Sequence, residues 1–325
     1  MNPRTYVTVD AVERLMARWF PGEGCRVEPV AAGVSTPVFR VWRDDTVAYL
    51  RLAEEPRENR TAEARVHELL MACGVPVPAV VRFEPMAPEV GRSAMLTGEL
   101  PGAPLAEIGD ERAACRTAEA AGRDLARINA VPVRGYGWAN AVGSDGALVA
   151  AYPTRGDWTA EYIDAVSVIT ENRLLPGMER MLEGAVERWA RRAGKATAWL
   201  AHGDFDTTHI FTHDAAYTGI IDFGESRGAD RLYDLGHFLL HDGERLPYPL
   251  FPSLLAGYRE ASVLPPEAPR EIRLHALVIG VQRLARAHRQ GRSDPYRCWL
   301  EDRIQRMLSD LDRDAWVLTE ADSVD

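Results

Sequence analysis

Hydrophobic and polar positions divide the chain into a β-rich first part and a largely helical second part. Met1 to Phe20 has the periodicity of an amphipathic helix, and Val27-Glu28-Pro29-Val30 is extended in character. Val38-Phe39-Arg40-Val41-Trp42 and Thr46-Val47-Ala48-Tyr49-Leu50-Arg51-Leu52 are rich in β-formers on either side of an Asp44-Asp45 turn, which predicts a hairpin. The loop Ala31 to Pro37 would cover it. Arg57 to Cys73 is helical in period until Gly74-Val75-Pro76-Val77-Pro78 stops it, and Ser93 to Thr97 predicts a further strand ending before Pro101-Gly102. From there the period becomes helical. Ala114, Ala118, Ala121, Leu125 and Ile128 step by four, three, four and three, which puts one small-residue stripe on a helix over Glu111–Ala130. Trp158, Tyr162 and Val166 predict a second helix, Met178 to Arg192 a third, and residues 252–312 resume the pattern. No internal repeat or low-complexity tract interrupts it. The expected class is α+β, a small β-rich lobe over residues 1–96 followed by a larger, mainly helical lobe over residues 97–325.

Composition narrows the functional classes. At 325 residues and 46% hydrophobic, the chain can bury a large core. No apolar run reaches transmembrane length, and the charged N-terminal helix is unlike a signal peptide, so a cytoplasmic location is expected. Cys25, Cys73, Cys115 and Cys298 lack CxxC spacing or a His cluster and read as buried thiols rather than disulfides or a zinc site. Trp158, Trp189, Trp199, Trp299 and Trp316 read as core. A net charge of −10 argues against nucleic acid and anionic membrane as partners, and no protein partner is indicated. Residues 1–96 carry 13 acids and 12 bases, residues 97–325 carry 35 and 26, so the acid excess lies in the second part.

The chemistry is concentrated between His202 and Gly224. His202-Gly203-Asp204-Phe205-Asp206-Thr207-Thr208-His209 is followed by a polar turn and then Gly219-Ile220-Ile221-Asp222-Phe223-Gly224, with 18 residues from Asp204 to Asp222. Two acids on loops beside apolar strand residues suit phosphoryl transfer, one orienting and deprotonating a hydroxyl and the other holding a metal that bridges nucleotide phosphates. The segment resembles the aminoglycoside phosphotransferase and choline-kinase-like family, whose loop reads His-Gly-Asp, four residues, Asn, then Asp-Phe-Gly or Asp-Trp. Here His209 stands in place of the Asn, as in the macrolide phosphotransferase branch.

The resemblance implies a protein-kinase-like bilobal fold, Asp204 as catalytic residue, and Asp222 with His209 at the metal. Mg²⁺ prefers oxygen ligands and Mn²⁺ accepts nitrogen more readily, so His209 has two readings, metal ligand or hydrogen-bond partner of Asp204. Arg51 stands where a kinase places its phosphate-binding cation, and the chain's one lysine, Lys195, lies elsewhere. Glu63 is the expected partner of Arg51, with Glu68 the competing choice. Gly33, Ser35 and Thr36 would approach the phosphates, and Met95 and Glu99 would line the nucleotide at the junction of the lobes. His202 would hold the loop, Asp206 and Thr207 would shape it, and Asp230 and Asp234 would cap a helix and brace it. The implied activity is phosphorylation of a small hydroxylated molecule by ATP or GTP with Mg²⁺ or Mn²⁺. A basic aminoglycoside-type antibiotic suits the acid excess. A macrolide, another small metabolite, or a regulatory role for a nucleotide-binding pseudokinase are the alternatives.

Overall fold

The computed structural model describes residues 7–30, 37–55, 58–191, 197–291 and 295–321, with side chains described up to residue 311. Gly33, Ser35 and Thr36 lie outside the described residues. Helix α1 (Val9–Trp19) begins at Thr8, whose hydroxyl accepts from the Ala11 amide, and buries Val12, Leu15 and Met16. It packs on one face of a five-stranded antiparallel sheet of order β1 (Cys25–Pro29), β2 (Val38–Arg43), β3 (Thr46–Leu52), β5 (Arg92–Gly98) and β4 (Val80–Ala87). The predicted hairpin is present. Asp44, in the left-handed region at φ 48°, makes the turn, and the β2–β3 register runs from Val38 opposite Arg51 to Arg43 opposite Thr46. Because side chains alternate across a strand, Phe39, Val41, Leu50 and Leu96 face α1 while Arg40, Tyr49, Arg51 and Met95 share the opposite face. Helix α2 (Thr61–Ala72) lies on that second side and ends where Gly74 turns the chain.

The second part is mainly helical, as its period predicts. Helices α3 (Glu111–Ile128), α4 (Arg155–Glu171), α5 (Glu179–Ala190), α6 (Tyr233–His241), α7 (Phe251–Ala261), α8 (Ala268–Arg289) and α9 (Pro295–Ala321) pack around two cores. Among the described residues no helix is long and apolar enough to cross a membrane. The helices also enclose strands that the periodicity did not separate. β7 (Pro132–Arg134), β8 (Tyr136–Val142), β9 (Leu148–Tyr152), β10 (Thr197–Ala201) and β13 (Arg227–Ala229) close on one another, while β11 (Ile210–His213) and β12 (Ala216–Ile220) form a hairpin that β6 (Ala103–Pro104) extends. β11 and β12 flank the polar turn expected between the two acids; the other strands are short and interrupted by Ala, Gly or Pro, which hides their pattern.

Three expectations about side chains need correction. Cys73 and Cys298 are exposed, and Cys25 and Cys115 half-buried; Cys73 caps α2 just before the turn, outside the core. Trp158 and Trp189 are core, but Trp199 and Trp299 are only half-buried, Trp299 lying in a near-parallel stack with His241 and Tyr296. Trp316 has no described side chain. Neither Asp230 nor Asp234 caps a helix: Asp230 pairs with Arg155 at 3.1 Å, Asp234 lies inside the first turn of α6, and the N-cap, Leu232, makes no side-chain hydrogen bond.

The small-residue stripe on α3 has a direct use. A Cβ on Gly257 of α7 would stand 1.8 Å from the Glu119 carbonyl oxygen of α3, and one on Gly122 would stand 2.1 Å from the Leu254 carbonyl oxygen. Two backbones thus meet with no room for a methyl group. Gly257→Ala is expected to cost about 3 kcal/mol or more, since the helices must separate rather than a rotamer shift. Urea unfolding measures this; a midpoint unchanged from wild type would show that the crossing is loose.

Candidate active site

The loop from His202 to His209 is held from beneath by a buried carboxylate. Asp234 of α6 is 0% exposed and accepts from the His202 amide at 2.8 Å, the Gly203 amide at 3.0 Å and the Asn129 side-chain amide at 2.9 Å. Asn129, at the end of α3, also donates to the Leu200 carbonyl. The expected brace is therefore present, and Asn129 is a further member of it. Gly203 must be glycine. Its φ is 88°, and a Cβ there would lie 2.0 Å from the Glu225 carbonyl oxygen.

Each histidine of the segment has a definable tautomer. His202 is buried, its Nε2 faces the Ile221 carbonyl at 2.8 Å and its Nδ1 the Asp204 amide at 3.3 Å, so Nε2–H donates and Nδ1 accepts. Burial lowers its pKa, and this neutral ring ties the two acid-bearing loops together. Asp206 accepts from the Thr208 amide at 2.7 Å and from the Thr208 hydroxyl, which closes the turn between the motif's ends. Thr208, rather than Thr207, supplies the side chain.

Asp222 stands at φ 66°, a left-handed conformation costly for a non-glycine residue and common at functional sites. The turn aims its carboxylate at two partners from different parts of the fold. Oδ1 accepts from Arg51 Nη2 at 2.5 Å, and Oδ2 lies 3.7 Å from His209 Nε2. Arg51 Nη1 reaches Glu63 Oε1 at 3.3 Å, and Arg60 also pairs with Glu63. Glu63 is 7% exposed; burial works against its charge, but Arg51 and Arg60 outweigh it and lower its pKa. The competing Glu68 is exposed and pairs with Arg65. Burial likewise opposes the Asp222 carboxylate, and Arg51 and His209 hold it below the usual range. Met95 is buried directly opposite Arg51, and Glu99 accepts from Tyr49 at 3.0 Å and Arg40 at 3.1 Å. Arg51, Glu63 and Asp222 form one chain of contacts, whereas Glu99 joins a separate cluster on the same sheet face.

No cluster of three or more metal-binding side chains occurs among the described residues. A divalent cation on a nucleotide needs fewer, since phosphate oxygens and water complete its shell. His209 Nδ1 lies 2.7 Å from the Asp204 carbonyl oxygen and donates to it, so a neutral His209 turns the Nε2 lone pair toward Asp222 Oδ2. Two lone-pair atoms facing each other at 3.7 Å call for a cation between them, and this pair fits a metal ion. Without one, a proton is favoured. Burial disfavours the imidazolium, but Asp206, Asp204 and Asp222 together outweigh it and raise the His209 pKa. His209 is thus a hydrogen-bond partner of the Asp204 backbone through one nitrogen, and its other nitrogen faces Asp222.

Asp204 has neighbours that the sequence reading missed. Arg283 of α8 donates from Nη2 to Asp204 Oδ1 and lies 2.6 Å from His237 Nε2. His237 of α6 faces the Phe205 carbonyl through Nδ1 at 2.9 Å. Burial and Arg283 lower the His237 pKa to about 3, so the ring is neutral, donates from Nδ1 and accepts from Arg283 at Nε2. Burial opposes the Asp204 carboxylate, yet the Arg283 guanidinium bound to it keeps it well below the usual range. No motif announces Arg283, which lies 79 residues beyond Asp204 on a helix with other arginines.

Comparisons with known proteins give the family and the fold. The model of the APH phosphotransferase enzyme family matches residues 26–275. The comparison with curated proteins gives no match. Among solved structures, aminoglycoside phosphotransferase APH(4)-Ia in ternary complex with ADP and hygromycin B superposes with a TM-score of 0.69 at 16% identity, over 92% of this chain and 98% of that one. Macrolide 2'-phosphotransferase MphH from Brachybacterium faecium gives 0.60 at 19% identity, over 91% and 97%. A candidate fructosamine-3-kinase from Thermobifida fusca gives 0.63 at 16%, over 93% and 100%. At such identities the likeness is one of fold, while the family match spans most of the sequence. The chain belongs to the phosphotransferase enzyme family, with its kinase-like fold, and is a kinase-type enzyme.

Proposed function

We propose that the protein transfers the terminal phosphoryl group of a nucleoside triphosphate to a hydroxyl of a small molecule. The observation that carries this reading is the paired arrangement of the two acids. Asp222 is held by Arg51 and faces His209, while Asp204 keeps Oδ2 clear of any hydrogen bond among the described residues. Asp204 Oδ2 would accept the acceptor's hydroxyl proton as the oxygen forms its bond to the terminal phosphorus and the bridging bond to the leaving diphosphate breaks. Arg51, fixed by Glu63, would place its fork on phosphate oxygens. Asp222 and His209 would hold the divalent metal, which when bound neutralises phosphate charge. The nucleotide complexes of the APH(4)-Ia structures support a nucleotide donor. The sheet face carrying Arg51, Met95 and Tyr49, with Glu99 at its end, would form the nucleotide side, in keeping with a division near residue 96.

An antibiotic acceptor is supported by the hygromycin B and macrolide enzymes among the structural neighbours. The acid excess that favours a polycationic acceptor is not concentrated near Asp204. Glu161 binds Tyr152 and Gln282, Glu225 binds Arg227, and Glu244 binds His241. The intact acids weigh against a pseudokinase.

Asp204→Asn is expected to lower kcat by about 10²-fold or more with nucleotide affinity nearly unchanged, because the base acts on the acceptor. Calorimetry with a non-hydrolysable nucleotide and a turnover assay separate the two quantities. Turnover within a few-fold of wild type would remove Asp204 from the chemistry.

His209 carries a pH-dependent prediction. Its raised pKa means that the imidazolium persists above the ordinary His range, and a protonated ring cannot ligate. Metal affinity in the presence of nucleotide should therefore fall as pH drops through that raised value. His209→Asn should lose this steep fall and shift preference from Mn²⁺ toward Mg²⁺. Titration calorimetry of both metals at several pH values tests it; superimposable profiles would leave His209 as a hydrogen-bonding residue of the loop.

A further inference from the structure

The wall beside Asp204 holds guanidinium donors that the carboxylates in contact with them do not use up. Arg283 spends Nη2 on Asp204 Oδ1 and on His237 Nε2, and a further hydrogen bond goes to the Tyr296 phenol. A guanidinium has five N–H groups, so part of its donor edge has no partner among the described residues. That edge is not sealed in, because the side chain is 26% exposed. Nor can it swing away. His237 is fixed by its own bond to the Phe205 carbonyl and offers Arg283 a rigid acceptor.

Arg286 follows at i+3 on α8, 63% exposed, and its contact is a loose 3.7 Å approach to Glu225 Oε1. The other oxygen of Glu225 is already taken by buried Arg227 at 2.9 Å, and Arg227 also donates to the Glu225 carbonyl and the Tyr233 hydroxyl. Arg227 and Arg283 stand near enough that each opposes the other's charge. Three guanidiniums therefore share two carboxylates, Asp204 and Glu225, and the unused donors belong to Arg283 and Arg286.

We propose that the acceptor is an oxyanion, a hydroxylated small molecule whose carboxylate or phosphate group binds Arg283 and Arg286 while its hydroxyl sits on Asp204 Oδ2. This rests on the phosphotransferase reading and names the acceptor's class. A carboxylate or phosphate matches the planar fork of an arginine through two parallel hydrogen bonds, and it would take up the donors that Arg283 and Arg286 leave open. Arg283 then has two tasks. It positions Asp204 and it selects the acceptor. A polycation would meet the open edges of two arginines at the same place.

The test is nucleotide consumption by the purified protein with Mg²⁺ or Mn²⁺ on matched acceptors: glycerate against glyceramide, ribose 5-phosphate against ribose, and kanamycin. The expected result is a preference of at least about tenfold in kcat/KM for the anionic member of a pair, the pair distinguishing carboxylate from phosphate. Arg283→Met should bring the two members of that pair close to equal. Arg286→Gln, which touches neither Asp204 nor His237, should shrink the ratio through the anion's KM and serves if Arg283→Met does not fold. Equal loss for both members in Arg283→Met, a rise in nucleotide KM instead of acceptor KM, or preferred turnover of ribose or kanamycin would each overturn the inference while leaving the phosphotransferase reading in place. Turnover of no acceptor in the panel would overturn the oxyanion inference alone, whereas absence of calorimetric binding of a non-hydrolysable nucleotide would overturn the phosphotransferase reading.

Discussion

The buried Asp234 carboxylate is the interaction on which the site depends. A charge with no exposure is costly unless hydrogen bonds replace its water, and here three N–H donors converge on it from α3 and from the loop itself. The exchange has a geometric consequence. His202 and Gly203 are fixed to α6, so the next residue, Asp204, leaves the loop in one direction only. Asn129 links the same carboxylate to α3, and α3 is held against α7 by the backbone contact at Gly122 and Gly257. A crossing of two helices remote from the chemistry thereby bears on where the acid points.

From that anchor the two acids are set up in matching fashion. Asp222 gives one oxygen to Arg51 and turns the other toward His209; Asp204 gives one oxygen to Arg283, with His237 holding Arg283 from behind. In both, a guanidinium keeps the carboxylate ionised against burial, and a ring oriented by a backbone carbonyl fixes the geometry. The difference lies in what remains open. Beside Asp222 a nitrogen and an oxygen face each other and suit a cation, whereas beside Asp204 one oxygen is left for a hydroxyl.

Elements built from regular repetition were legible in the sequence, and so were residues that must be close along the chain. The β2–β3 hairpin, the stripe on α3 and the His-Gly-Asp to Asp-Phe-Gly segment each have a local cause: strand propensity around a turn, helical period, and a loop that needs a glycine under the Glu225 carbonyl. Glu63 was reachable because a strand arginine followed by a helix restricts the candidates to two. Arg283 and His237 were not. Their meeting with Asp204 requires α6 and α8 to pack side by side, and nothing in either helix's period marks one arginine among several as the one facing the loop. Asp230 was misread for a related reason, since an acid just before a helix resembles a cap until a distant Arg155 claims it.

Charge shows the same limit in another form. The surplus of acids over residues 97–325 is a sum over a surface, and a sum says little about the field at one atom when the nearest carboxylates, Asp204 and Glu225, are each held by an arginine. Screening in water confines an unpaired surface charge to about 8–10 Å at physiological salt, while a buried guanidinium acts on its neighbours with far less attenuation. The local arrangement therefore governs recognition at the reacting hydroxyl, and the global excess governs at most the approach of a ligand to the molecule. Since Arg283 and Arg286 present open donors where an acceptor would meet Asp204, the sign that an acceptor senses at the end of its approach is opposite to the sign of the chain.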